Sequence, residues 1–197
     1  KNSSKFITGQ NFSNHTKARP VEAAVKATQK AIKLALKYKK KLHVLHLSTA
    51  EEVKIIREHK STGLITCETT PQHLLMEAPY IYDKIGAFAQ MNPPIRSKRH
   101  QDELWKGLFD GTINCIATDH APHTLEEKKL PYGQAPSGMP GVETSLTLIL
   151  NEVSKGRISL NQVAKWMSEN PAKLYNIKNK GFIKETYDAD ITIVDMN

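Results

Sequence analysis

Behind Pro20, apolar or small residues fall at Val21, Val25, Thr28, Ile32 and Ala35, a spacing of three and four that predicts a helix opened by the proline. The period then changes. Residues 42–48 (LHVLHLS) form a short apolar run that reads as a buried strand. TAEEVKIIREHK returns to helical spacing, with Thr49 and Glu52 placed as a capping box and Val53, Ile55 and Ile56 as its apolar side. Gly63 stops that helix, residues 64–70 (LITCETT) give a second strand, and Pro71 stops the strand. Residues 87–92 (AFAQMN) read as a further short extended piece ahead of Pro93-Pro94. A helix over 102–109 carries Leu104, Trp105 and Leu108 on one side, and residues 114–119 (NCIATD) form the next strand. Two amphipathic helices over 142–153 and 159–170 and a short third over 171–177 follow. Residues 188–197 alternate like a surface strand.

Strands alternating with helices across short loops are the pattern of parallel βα units, so the expected class is α/β. His46, Glu68, Asn92 and Asp119 all fall at the C-terminal ends of these extended segments, the edge on which such folds build their sites.

Composition narrows the picture only a little. The 39% hydrophobic and 24% charged content is that of an ordinary globular protein, and no run of about 18 apolar residues predicts a membrane span. The net charge of +8 comes from 28 basic and 20 acidic residues. The basic residues are scattered and rarely interleaved with aromatics, which argues against nucleic acid and leaves a small anionic substrate compatible. Cys67 and Cys115 each lie in a predicted strand and read as small buried hydrophobes, a usage that fits a reducing, cytoplasmic setting. The opening residues are polar, show no charged-then-apolar leader and lack an initial Met, so the expectation is a chain that begins partway through a longer protein.

The chemistry concentrates in residues 115–124 (CIATDHAPHT). A carboxylate that ends an apolar strand must be hydrogen-bonded, paired or metal-bound, because burying it bare is too costly. His120 and His123 flank Asp119, and Pro122 stiffens the turn. Carboxylate and imidazole on neighbouring strand ends suit a divalent metal such as Zn²⁺, which lowers the pKa of a bound water from about 15.7 to about 7. Asp119 is then placed to hold that water and move its proton; a helix cap with nearby histidines is the plain alternative. His46 on its own reads as a hydrogen-bonded core histidine before a ligand, and His73 as packing or support. MNPPIRS offers the Asn92 amide and the Arg96 guanidinium around a rigid double proline, and residues 135–141 (APSGMPG) offer a glycine-rich loop with backbone N–H groups.

Taken together, HVLHLSTAEEV, TCETTPQHLL, MNPPIRS, DGTINCIATDHAPHTLEEK, PSGMPGVET and DADITIVD resemble, in order and spacing, the dihydroorotases of the amidohydrolase superfamily. The resemblance runs from about Arg19 to Asp195. It implies the C-terminal part of a TIM-type (β/α)8 barrel over residues 1–178, about strands six to eight, and the first strand region of a small β-sandwich over 179–197. It implies a metal-dependent, reversible hydrolysis of the ring amide of dihydroorotate to N-carbamoyl-L-aspartate, in pyrimidine biosynthesis. By position, His46 resembles a metal ligand on strand six, and Asp119 the strand-eight ligand that also serves as general base and acid. Asn92 and His123 match substrate contacts, and Ser137-Gly138 the loop that touches substrate through its backbone. His73, Arg96 and His120 remain in supporting roles. The family's His-x-His pair is absent from these 197 residues, as are its strand-four Lys or Asp and its strand-five His, so one or two Zn²⁺ ions need ligands from elsewhere. A homodimer is expected, and aspartate transcarbamoylase is a candidate partner. Two alternatives stay open: an allantoinase- or hydantoinase-like enzyme, and a non-catalytic scaffold for that transcarbamoylase.

Overall fold

The computed structural model describes residues 11–196. Three short parallel strands lie side by side in chain order: β1 (Leu42–Val44), β2 (Ile65–Thr69) and β3 (Cys115–Ile116). Leu42 stands opposite Ile65, Val44 opposite Cys67, and Glu68 opposite Cys115. Single bonds carry the pairing further, with Leu47 N–H donating to Glu68 O at 2.8 Å and Ala117 N–H to Thr69 O at 2.9 Å.

Side chains alternate across a strand, so the sheet has two unlike faces. Leu42, Val44, Ile65, Cys67 and Ile116 enter the main core. His43, Thr66, Glu68 and Cys115 share the opposite, polar face. Helices cover the apolar face. The short α1 (His15–Ala18) leads into α2 (Val21–Tyr38), which buries Thr28, Ile32 and Ala35 as its spacing predicts, and Lys39 ends it in a left-handed turn. Between β1 and β2 runs α3 (Ala50–His59), burying Val53 and Ile56. Thr49 caps it by accepting from Glu52 N–H. The expected capping box is incomplete, because the Glu52 carboxylate turns inward and accepts from the hydroxyls of Thr28 and Thr49, both at 2.8 Å. That buried carboxylate therefore pins α2 to α3.

After β2 come α4 (Pro71–Leu75), α5 (Tyr80–Ile85) and α6 (Lys98–Phe109), the last beginning four residues earlier than its apolar pattern suggests. Residues 87–92 do not form the expected extended piece. Gly86–Ala89 is a 3₁₀ turn, and Ala89 and Met91 instead fill a second small core with Ala78, Tyr82, Ile95 and Met139. This satellite core holds up the loop that carries Asn92. Beyond β3 lie α7 (Leu125–Lys128), α8 (Ser145–Ser154) and α9 (Leu160–Ala164), and a π-helical turn (Lys165–Glu169) joins α9 to α10 (Asn170–Leu174). Thr124 and Glu127 form a complete capping box on α7, as do Ser159 and Gln162 on α9.

The strand expected over 188–197 is not formed across its described residues. Residues 188–196 pair with no other strand, and Ile193 is 93% exposed. A strand needs a neighbour to take its backbone groups, and none stands beside this segment among the described residues. Residues 1–10 and 197 of the two expected domains lie outside the described residues.

Candidate active site

His46 and Asp119 both sit where a strand has just ended, on either side of β2, and both have left-handed backbone, with φ of 35° and 46°. A residue with a side chain reaches that region only at a cost, so the surrounding structure must hold it there. His46 Nδ1 is buried with no hydrogen-bond partner among the described residues. The half-buried Asp119 carboxylate likewise has no hydrogen bond among them. An orphaned imidazole nitrogen and an uncommitted carboxylate at the ends of the two strands that flank β2 are a donor set that fits a divalent cation such as zinc.

Asn92 is exposed at the lip of an open cleft of about 330 Å³ lined by Arg19, Pro20, His46, Asn92, Pro93 and Arg96. Two buried histidines clamp its loop. His73 Nε2 lies 3.0 Å from Pro93 O and its Nδ1 2.8 Å from the Thr70 hydroxyl. A carbonyl can only accept, so Nε2 carries the proton and Nδ1 accepts from Thr70. Burial pushes the His73 pKa down to about 4, and the ring stays neutral. It supports the loop with both nitrogens engaged. Arg96 is buried and donates from Nη1 to Arg19 O at 2.8 Å. It ties the loop to the start of α2, with its Nε unpartnered.

His123, Ser137 and Gly138 form a separate contact beyond β3. His123 Nε2 lies 3.3 Å from Ser137 O, and a Cβ built on Gly138 would stand 2.9 Å from that nitrogen and 2.6 Å from Ala121 O. Only glycine admits the imidazole so close. The backbone N–H groups expected to be free in this loop are largely engaged. Gly138 N–H donates to Gln90 O at 2.9 Å, and those of Gly141 and Val142 donate to His120 Nδ1 at 3.1 and 3.2 Å. His120 thus staples the loop to the strand end. Gln90 and the buried Lys128 strap the loop from beneath: Gln90 donates to Ala135 O and Ser137 Oγ, Lys128 to Gln90 O and Pro136 O.

Two sets of residues carry no signal in the sequence pattern. His15 contacts the Asn92 loop and is itself held by the Tyr132 hydroxyl, although His15 sits in a polar stretch with no periodicity. On the polar face of the sheet, His43, Glu68 and Cys115 bring ligand atoms within 4.8 Å of one another, the one such trio among the described residues. His43 there bonds Thr66 Oγ1 at 2.8 Å and Glu68 Oε2 at 3.0 Å, which satisfies the ring without a metal. No described helix is long and apolar enough to cross a membrane.

A parallel α/β unit with acid and imidazole at its strand ends defines a class, and comparison with known proteins gives it a family. The amidohydrolase family model matches residues 10–197, and the chain belongs to that family. It is 40% identical to a dihydroorotase of Methanosphaera stadtmanae over 198 residues, covering 99% of this chain and 43% of that one. A dihydroorotase of Lactococcus lactis is 46% identical over 157 residues, covering 79% of this chain and 37% of the relative. Among solved structures, the L-hydantoinase (dihydropyrimidinase) of Arthrobacter aurescens superposes with a TM-score of 0.89 at 32% identity, over 95% of this chain and 43% of that one. The dihydropyrimidinase of Brevibacillus agri gives 0.84 at 33% identity, over 91% and 41%. The chain therefore spans less than half the length of the proteins it matches.

Proposed function

We propose that this chain forms the C-terminal part of a dihydroorotase, the three strands being strands six to eight of a (β/α)8 barrel and residues 179–197 the first strand region of a β-sandwich. The observation that carries the reading is the pair of strained strand ends at His46 and Asp119, each presenting an uncommitted donor atom. His46 and Asp119 would hold a divalent ion, zinc by the chemistry of the set, with further ligands from outside this chain. When bound, such an ion polarises the ring carbonyl and activates water at neutral pH. Asp119 takes the proton from the attacking water and delivers it to the ring nitrogen as the C–N bond breaks, leaving one carboxylate and one carbamoyl group. Asn92 and His123 hold the substrate carboxylate, and the Ser137-Gly138 loop contacts the substrate through its backbone.

The test uses the longer polypeptide that carries this sequence. It should contain zinc by elemental analysis and convert dihydroorotate to N-carbamoyl-aspartate. Asp119→Asn should lower kcat by about 10³-fold, within the usual range for a lost acid–base group. Full activity in that variant would remove Asp119 from its role. A second reading, hydrolysis of hydantoins or dihydropyrimidines, is favoured by the structural likeness to those enzymes. Turnover of hydantoin in preference to dihydroorotate in the same assay would establish it instead.

A further inference from the structure

Buried against the Asn92 loop, His15 is only 2% exposed and touches three polar groups. Its Nε2 lies 2.9 Å from Met91 O and 3.1 Å from Asn92 Oδ1, and its Nδ1 lies 3.2 Å from the Tyr132 hydroxyl. The Met91 carbonyl is an obligate acceptor, so Nε2 must carry a proton. The group that Asn92 offers to the same Nε2–H must then be its amide oxygen. Burial keeps the ring neutral, so Nδ1 is a bare lone pair and Tyr132 is the donor. One carbonyl thus fixes the protonation of the ring, the direction of the tyrosine hydroxyl and the orientation of the asparagine amide. The Asn92 NH₂ group, with no hydrogen bond among the described residues, is left facing away from His15 at the lip of the cleft it shares with His46.

We propose that His15 is a positioning residue: fixed as its Nε2–H tautomer by Met91 O and held in place by the Tyr132 hydroxyl, it turns the Asn92 amide so that two N–H donors, and not the carbonyl, meet the substrate. An outward NH₂ selects an oxyanion or carbonyl oxygen and would reject a ligand that offers a donor at that place. Tyr132 follows α7 and belongs to the stretch that leads into Ser137, so the orientation of Asn92 is linked to the loop expected to touch the same ligand. The inference rests on the reading of Asn92 as a substrate contact. It adds a residue, a tautomer and a polarity to that reading.

The test is steady-state kinetics with dihydroorotate on the longer polypeptide, with thermal melts of each variant. His15→Leu should raise KM about tenfold, the worth of one well-placed hydrogen bond, with kcat changed less than about twofold. His15→Gln should restore KM to within about twofold, because its side-chain NH₂ can donate to both Met91 O and Asn92 Oδ1. Tyr132→Phe, which loses only a hydroxyl, should raise KM about threefold and decides the same question if His15→Leu does not fold. In an Asn92→Ala background, His15→Leu should add nothing to KM. Nitrogen NMR of histidine-labelled protein should show His15 as the Nε2–H tautomer both in wild type and in Tyr132→Phe, where Met91 O still requires that proton. If Asn92→Ala raises KM while His15→Leu and Tyr132→Phe do not, His15 has no positioning role and the substrate assignment of Asn92 stands. If Asn92→Ala leaves KM unchanged, that assignment falls and this inference with it. An Nδ1–H tautomer in wild type overturns the proton placement outright.

Discussion

His15 and His73 are both sealed inside the fold and kept neutral by burial, each with a folded-state pKa near 4 against an ordinary 6.5. In the unfolded chain each takes up a proton as the pH drops through 6.5, whereas in the folded chain neither does until about 4. Acid therefore stabilises the unfolded state first, and stability that is complete above about pH 7 drains away between 6.5 and 4. At pH 5.0 an unfolded histidine is almost fully protonated and the folded ones scarcely at all, which costs about 2 kcal/mol per site and about 4 for the pair. That is a large part of the stability of an ordinary domain. Urea unfolding at pH 7.5 and 5.0, followed through the buried Trp105 and Trp166, measures it; each histidine should account for about 1 M of the loss in midpoint. Partner-stabilised carboxylates such as Asp110, whose pKa is lowered by Thr112 and Arg57, lose their contribution only at lower pH and stay out of this window. His100, also lowered by burial, adds in the same direction. His15→Gln and His73→Gln should each remove about half of the loss attributed to the pair. An undiminished loss of midpoint in the double variant would refute the assignment.

Gly138→Ala should cost about 2–3 kcal/mol, since its Cβ meets Ala121 O at 2.6 Å with the backbone at φ 149°. The same variant should raise KM by pushing His123 aside, and melts and kinetics read the two effects separately. Trp105→Phe should cost about 2 kcal/mol by equilibrium unfolding. It strips Leu74 O of its 2.9 Å bond from the indole N–H and takes away the ring that Arg157 covers at 4.1 Å.

The elements whose packing is local were legible in the chain. The period of α2, the Thr49 cap, the Gly63 stop and the central strand β2 follow from side chains that act on their own neighbourhood. Where an outcome depends on distant partners, the pattern misled. Ala87, Ala89 and Met91 alternate like a strand, yet Ala89 and Met91 are buried by a satellite core whose Met139 arrives from far along the chain. Residues 188–196 alternate correctly yet pair with no other strand among the described residues. In the site, Asp119 was readable because a carboxylate after an apolar run needs an explanation. His15 was not, because its meaning comes from Met91, Asn92 and Tyr132, which lie 76 to 117 positions away.

The left-handed backbone at His46 and Asp119 also bears on how this sequence responds to selection. Glycine adopts such a conformation without strain, and even after its entropic penalty it should make either position about as stable or slightly more so. A stability screen blind to activity would thus enrich glycine at the two positions where the proposed chemistry can least spare a side chain. Efforts to harden the fold should therefore leave these two turns alone and work on the helices behind the sheet, where packing and catalysis make no conflicting demands.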